Sequence, residues 1–343
     1  MSGGRGWAML TTLLQRAWRR RGAVALSLLP LAWAFKALAA LRRGLYRCGA
    51  LASERLPVPV VVIGNITVGG SGKTPLVLWL VEALRRRGIV AGIVSRGHGG
   101  KGSVEEVDAS SVASQVGDEP LLLKRRCLAP VFVGRDRVAA GRALLRAYPH
   151  CQLILADDGL QHYRLQRDFE IAVLDRRGLM NRWPLPAGPL REPTARLSEV
   201  DAVVLNGGGA ACPPGGGARP AYRMQLVGDE LYALTDPQRR CHAADLAHLR
   251  LAALAGIGDP QRFFAHVERL GLICTPYAFP DHHAYCAGDI AAIDADALLM
   301  TEKDAVKCAG LTDRPVWVLP VSADVEPDLV TLVMEKLYGH SPA

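Results

Sequence analysis

Aromatic residues make up only 6% of the 343-residue chain, and no Lys/Arg-rich patch with interleaved aromatics occurs beyond residue 56. Stacking platforms for bases are therefore missing, which argues against a nucleic-acid partner. The eight cysteines (48, 127, 151, 212, 241, 274, 286 and 308) contain no C-x-x-C pair. Their scatter argues against a zinc site or a disulfide framework and fits a reducing compartment. They read as small buried apolar side chains. The chain has no internal repeat. It also lacks a small-residue cleavage site between its N-terminal hydrophobic stretch and the first strand, which argues against a secretory signal.

Acidic residues are scarce at the N-terminus. Residues 1–56 hold ten Lys/Arg against Glu54 alone, whereas residues 57–343 hold 31 bases and 32 acids. The formal net charge of +8 therefore belongs to the N-terminus, on a neutral body. Within that region Ala23–Leu41 is apolar apart from Ser27 and Lys36, and is bracketed by Arg19-Arg20-Arg21 and Arg42-Arg43. As one helix it would measure roughly 28 Å, just enough to cross a hydrocarbon core. Pro30 and Lys36 weigh against a clean span, and lying flat in the interface is the competing arrangement. Residues 1–56, with a hydrophobic helix at about 23–41, are thus expected to anchor the chain to a membrane. Their arginines would meet anionic headgroups on the cytoplasmic side.

The run Gly64–Pro75 follows the apolar segment Val58–Ile63 and precedes the helix-patterned Leu76–Arg87. A strand, a glycine-rich loop and a helix in that order make a phosphate cradle, with inward backbone N–H groups and the positive end of a helix. Thr67, Val68, Gly69, Gly70, Ser71, Gly72, Lys73 and Thr74 are the expected nucleotide-binding residues. Lys73 would reach the β- and γ-phosphates and the Thr74 hydroxyl would ligate Mg²⁺. Thr67 stands where the usual first glycine belongs. Val68 replaces the extra lysine that marks the dimerising, membrane-associated P-loop ATPases.

Further apolar runs at Ile89–Val94, Val131–Val133, Gln152–Ala156, Glu170–Leu174 and Ala202–Leu205 alternate with helix-like stretches. That alternation predicts an α/β fold of the P-loop NTPase type, a doubly wound, mostly parallel sheet spanning 57–205. The Gly/Pro-rich stretch 206–220 reads as a loop or linker. Beyond it, Leu251–Leu254, Pro260–Leu270, Ala297–Met300, Val316–Leu319 and Asp328–Leu337 predict a second, smaller α/β domain at 221–343.

The strand Gln152–Ala156 ends in Asp157-Asp158, where P-loop enzymes place a magnesium-holding carboxylate. Gly117-Asp118-Glu119-Pro120 puts two more acids in a short segment. Phe279-Pro280-Asp281-His282-His283 gathers an acid and two imidazoles. Thr301-Glu302-Lys303-Asp304 follows a strand, but its lysine sits one place too late to read guanine.

In this order these motifs resemble the tetraacyldisaccharide 4′-kinase family of lipid A biosynthesis. The blocks that carry the resemblance are Gly64–Pro75, Ser95-Arg96-Gly97, Gly117–Pro120, Ala156–His162, Leu185–Pro193, Ala255–Ile257 with Pro260–Phe263, Phe279–His282 and Thr301–Lys307. His98 departs from the common tyrosine. The resemblance implies transfer of the ATP γ-phosphate to the 4′-hydroxyl of tetraacyldisaccharide 1-phosphate, a lipid, at the cytoplasmic face of the inner membrane. It implies Mg²⁺ held by Thr74 and Asp158, with Asp157 and Glu119 as further candidates. Asp118 would accept the hydroxyl proton, assisted by His282 (or its neighbour His283). Arg96, Gln161, His162, Arg191 and Glu192 would serve the acceptor or the metal shell. The runner-up is a membrane-anchored P-loop NTPase switch or assembly factor with no lipid acceptor.

Overall fold

The computed structural model of the chain describes residues 17–207 and 219–339. Arg5 and Arg16, and positions 208–218 of the Gly/Pro-rich stretch, lie outside the described residues. The first unit builds on β1 (Val60–Gly64), β2 (Ala91–Ser95), β3 (Glu105–Val107), β4 (Val131–Val133), β5 (Leu153–Asp157), β6 (Phe169–Asp175), β7 (Ala202–Asn206) and β8 (Ala221–Val227). The second unit builds on β9 (Glu230–Ala233), β10 (Asp236–His242), β11 (Leu251–Ala255), β12 (Cys274–Ala278), β13 (Ala297–Thr301) and β14 (Val316–Leu319). The chain then returns to the first unit through β15 (Ser322–Val325) and the helix Asp328–Tyr338.

The first sheet has nine strands in the order β15-β8-β7-β6-β1-β5-β2-β4-β3, and the second has six in the order β10-β9-β14-β13-β11-β12. In the first sheet only β3 and β15 run antiparallel to their neighbours. The expected doubly wound, mostly parallel α/β fold is present. Every residue of β1 is buried, as a parallel strand covered on both faces requires. Val61 and Ile63 pack on one face with Leu76 and Leu80 of the helix Lys73–Arg85 and with Leu329 and Val333 of the C-terminal helix. Val60 and Val62 pack on the other face with Val138 and Leu144 of the helix Arg137–Ala147.

Two expectations need correction. The stretch 206–220 does not mark where the sheets divide, because β8 and β15, both beyond it, complete the first sheet. The N-terminal hydrophobic segment is not one helix over 23–41. It forms two, Ala23–Ser27 and Leu29–Arg47, which meet at Leu28. Pro30 has no N–H to donate to Leu26 and its ring crowds that carbonyl, so the helix restarts there with proline in its first turn. No helix among the described residues is long and apolar enough to cross a membrane.

The longer helix turns Ala32 inward and leaves Leu31, Trp33, Leu38 and Leu41 exposed. Trp18 Nε1 donates to Pro186 O at 2.8 Å, Arg47 pairs with Glu199 at 3.2 Å, and Arg42 donates to Gln161 O at 3.2 Å.

Leu80 is fully buried between β1 and the P-loop helix. Truncating it as Leu80→Ala is expected to cost about 2–5 kcal/mol of stability in urea titrations, the range for a leucine-sized cavity.

Candidate functional site

β1 lies between β5 and β6, and the loop that leaves it opens at the C-terminal edge of the sheet, where α/β folds collect ligands. Gly72 caps the helix Lys73–Arg85 with φ 89°, in the left-handed region that suits glycine. A Cβ there would lie 2.1 Å from Asn206 Nδ2, so a side chain is excluded twice over. Asn206, fully buried at the end of β7, donates to Ser71 O at 2.8 Å and accepts from Arg262 of the second unit at 2.6 Å. Thr67, in place of the usual glycine, is buried and bridges Leu190. Val68 N donates to Pro189 O at 2.9 Å. Gly258 of the second unit packs so tightly on the loop that a Cβ would meet Gly70 N at 2.7 Å. Gly70, Ser71, Gly72, Lys73 and Thr74 line one wall of a 510 Å³ cavity between the units, with Glu119 and Lys303 opposite.

Lys73 Nζ lies 3.3 Å from Asp158 Oδ1 and 3.4 Å from Asn65 Oδ1. Asp158 takes φ 48° and also pairs with Arg191 at 3.2 Å. Burial opposes its charge, but Lys73 and Arg191 outweigh burial and hold its carboxyl down at about 2. Asp157 pairs in register with Ile63 of β1 and accepts from Ser95 Oγ at 3.5 Å. Its Oδ1 is buried without a partner. Burial first, and Glu119 second, push its carboxyl up to about 7. An orphaned buried carboxylate oxygen beside an ionised Asp158 suits a divalent cation. Among the described residues no cluster of three or more His, Cys, Asp or Glu forms a cage.

Asp118 begins the helix Asp118–Arg126 of the first unit and is buried. His282, from the loop after β12, brings Nδ1 within 3.0 Å of both Asp118 oxygens. Burial opposes the Asp118 charge, yet the hydrogen bond from His282 and the charges of Lys303 and Lys307 hold the carboxyl below its ordinary value. Burial likewise opposes the imidazolium, and Asp118 raises His282 against it. His282 sits at φ 60°, a strained region that clusters at functional sites. His283 instead meets Asp289 at 3.0 Å, away from Asp118.

The remaining predicted residues divide. Gln161 donates to Asn65 O at 3.1 Å and to Glu192 at 2.8 Å, and Glu192 also accepts from Tyr163 Oη at 2.7 Å. These two brace the P-loop strand end. Burial, then the Arg137 charge, push His162 down to about 4, and its Nε2 is buried without a partner. Arg96 follows β2 and is exposed. Asn206, Arg262 and Lys303 are site residues that motif reading missed. Asn206 opens the glycine-rich stretch and so read as linker, although a polar residue ending an apolar strand run was the available signal.

A model of the family described as LpxK, tetraacyldisaccharide-1-P 4′-kinase, matches residues 24–338. The chain belongs to this family. It is 53% identical over 328 residues to a tetraacyldisaccharide 4′-kinase of Azoarcus sp. (strain BH72), covering 95% of this chain and 96% of the relative. It is 51% identical over 340 residues to the same enzyme of Dechloromonas aromatica (strain RCB), covering 98% and 100%. A crystal structure of LpxK from Aquifex aeolicus in complex with ATP aligns with a TM-score of 0.77 at 29% identity, covering 92% of this chain and 100% of that one. Its activity is that of a lipid A 4′-kinase, a phosphotransferase. The expectation of a P-loop switch without a lipid acceptor gives way to this membership.

The raised Asp157 carboxyl fixes the sign of a pH effect. Folded, it titrates near 7; unfolded, near about 4. Between these values the folded state holds the extra proton, so stability falls as pH rises through that window. Asp157→Asn removes the penalty and is expected to raise the Tm of nucleotide-free protein more at pH 8 than at pH 5 in paired calorimetric scans.

Proposed function

We propose that the chain transfers the γ-phosphoryl group of ATP to the 4′-hydroxyl of tetraacyldisaccharide 1-phosphate at the cytoplasmic face of the inner membrane, and that Asp118 with His282 activates that hydroxyl. The observation that carries the assignment is the 3.0 Å contact of His282 with Asp118 across the two units, beside the cavity that the P-loop lines. The ATP complex of the Aquifex aeolicus LpxK supports ATP as donor. The P-loop amides and Lys73 would grip the phosphates, and Thr74 and Asp158, with Asp157 and Glu119 as further candidates, would hold Mg²⁺. When bound, the ion neutralises charge on the β- and γ-phosphate oxygens.

Phosphoryl transfer is mostly positioning and charge neutralisation. The carboxylate of Asp118 is fixed from two directions, by His282 Nδ1 and by the Glu119 N–H at 2.9 Å. A weak base so fixed accepts the hydroxyl proton where it is lost. Asp118→Ala is expected to lower kcat by about 10²–10⁴ while the Kd for ATP changes less than about twofold, since uniform binding is untouched. The test follows γ-labelled phosphate into tetraacyldisaccharide 1-phosphate in detergent micelles, and equal losses of turnover and affinity would overturn the role.

The N-terminal helices support attachment to the bilayer surface rather than a span. Val24, Leu26, Leu31, Trp33, Leu38 and Leu41 are exposed, and exposed Arg19, Arg20, Arg21 and Arg42 flank them. An apolar face with basic borders lies in the interface and favours anionic lipid. Leu38→Glu with Leu41→Glu is expected to weaken flotation with phosphatidylglycerol vesicles about 10²-fold or more, from roughly 1.5–3 kcal/mol per leucine buried. The Tm in detergent should not move, because neither side chain packs in the fold.

A further inference from the structure

Lys303 stands on the second unit, in the first turn of the helix Glu302–Cys308, and lines the same cavity as Gly70–Thr74. Its Nζ lies 3.0 Å from Glu119 Oε1, 3.2 Å from Asp281 Oδ1 and 3.3 Å from His282 Nε2. Its side chain is 16% exposed. Its ammonium thus contacts His282 of the acceptor pair and lines the cavity that Lys73 and Thr74 also line.

Lys73 cannot serve both sides, because it lies on the donor wall against Asp158 and Asn65. Lys307, one turn further along, points at Asp304, 3.1 Å away, and does not line the cavity. Arg191 is held by Asp158. Among the described residues, Lys303 is the cavity-lining cation that contacts His282 of the acceptor pair.

We propose that Lys303 is a catalytic residue that contacts the transferring phosphoryl group, delivered to the P-loop unit by the second unit. In the transfer, a bond forms between the 4′-oxygen and the γ-phosphorus. The bond from that phosphorus to the β,γ-bridging oxygen breaks, its electron pair leaves with ADP, and the hydroxyl proton passes to Asp118. Negative charge spreads over the equatorial oxygens of the moving group, and a lysine on a flexible stem can leave Glu119 to meet them. The second unit thereby senses the γ-phosphate directly, so its closure is coupled to the triphosphate rather than to the diphosphate.

This rests on the kinase reading and on Asp118 facing the acceptor. The test compares full-length wild type, Lys303→Met and Lys303→Arg in detergent micelles. Isothermal titration calorimetry gives Kd for ADP and for a non-hydrolysable ATP analogue, and turnover is measured alongside. Lys303→Met is expected to bind ADP within about twofold of wild type, to bind the analogue about tenfold more weakly, and to lose about 10²–10³ in kcat, as for a cation supplied to the transition state. Lys303→Arg should recover part of the analogue affinity. Equal weakening of ADP and the analogue, or a kcat within about threefold of wild type, would reduce Lys303 to a packing ion pair. If wild type itself labels no lipid, the kinase reading fails alone and the binding contrast still decides Lys303. Lys303→Gln replaces the methionine variant if circular dichroism shows the latter unfolded.

Discussion

Asp118 is 5% exposed and its surroundings keep it ionised. A buried carboxylate survives as an ion only if cations and hydrogen bonds meet it. Its own unit supplies one backbone N–H, and every cationic partner comes from the other. These are His282 at 3.0 Å, Lys307 at 3.8 Å, and the charge of Lys303. The seam continues along the same helix, whose last residue, Arg126, pairs with Glu302. Acids at the start of one helix and a base at its end thus face complementary charges on Glu302–Cys308. Removing one partner of such a buried pair typically costs about 3–5 kcal/mol, because the other charge is left buried and unpaired.

Topology gives that seam its mechanical setting. The second sheet is inserted between β8 and β15, which pair with each other in the first sheet. The inserted unit is therefore tethered at two adjacent strands, and the helix that Asp118 begins reaches one of them, Arg126 donating to Ser322 Oγ of β15 at 3.1 Å. From there it reaches back over the P-loop, where Gly258 abuts Gly70 and Arg262 holds Asn206. The cavity is therefore lined from both units, and neither half contains it alone.

Buried parallel strands announce themselves as continuous apolar runs, which is why β1, β2, β5, β6 and β7 were legible. The exposed strands β8 and β10 were not, since their burial is low and their partners are set by distant chain segments. The P-loop and Asp157-Asp158 were legible because local order alone, strand then loop then helix, defines them. Asp118 and His282 are 164 residues apart, and only the ordered family blocks joined them. Lys303 lay inside such a block, yet its role depends on a fold that turns a helix of one unit onto a helix of the other. No local pattern encodes that.

The N-terminal arginines illustrate a different gap between charge counting and structure. They were all assigned to lipid headgroups, yet Arg42 and Arg43 turn inward to Gln161 and Glu199. Gln161 in turn donates to Asn65 O, and Asn65 donates to Gly69 O at 3.2 Å and accepts from Lys73. A continuous run of hydrogen bonds therefore joins the helix with the exposed apolar face to the glycine-rich loop after β1. Pro30 makes this geometry possible by restarting the helix at Leu29, after which it runs unbroken to Arg47 and lays Arg42 and Arg43 against the body. On the proposed attachment to a bilayer, this run of hydrogen bonds would fix the orientation of the glycine-rich loop relative to the surface that carries the lipid acceptor, and transfer between a soluble donor and a lipid hydroxyl depends on such positioning.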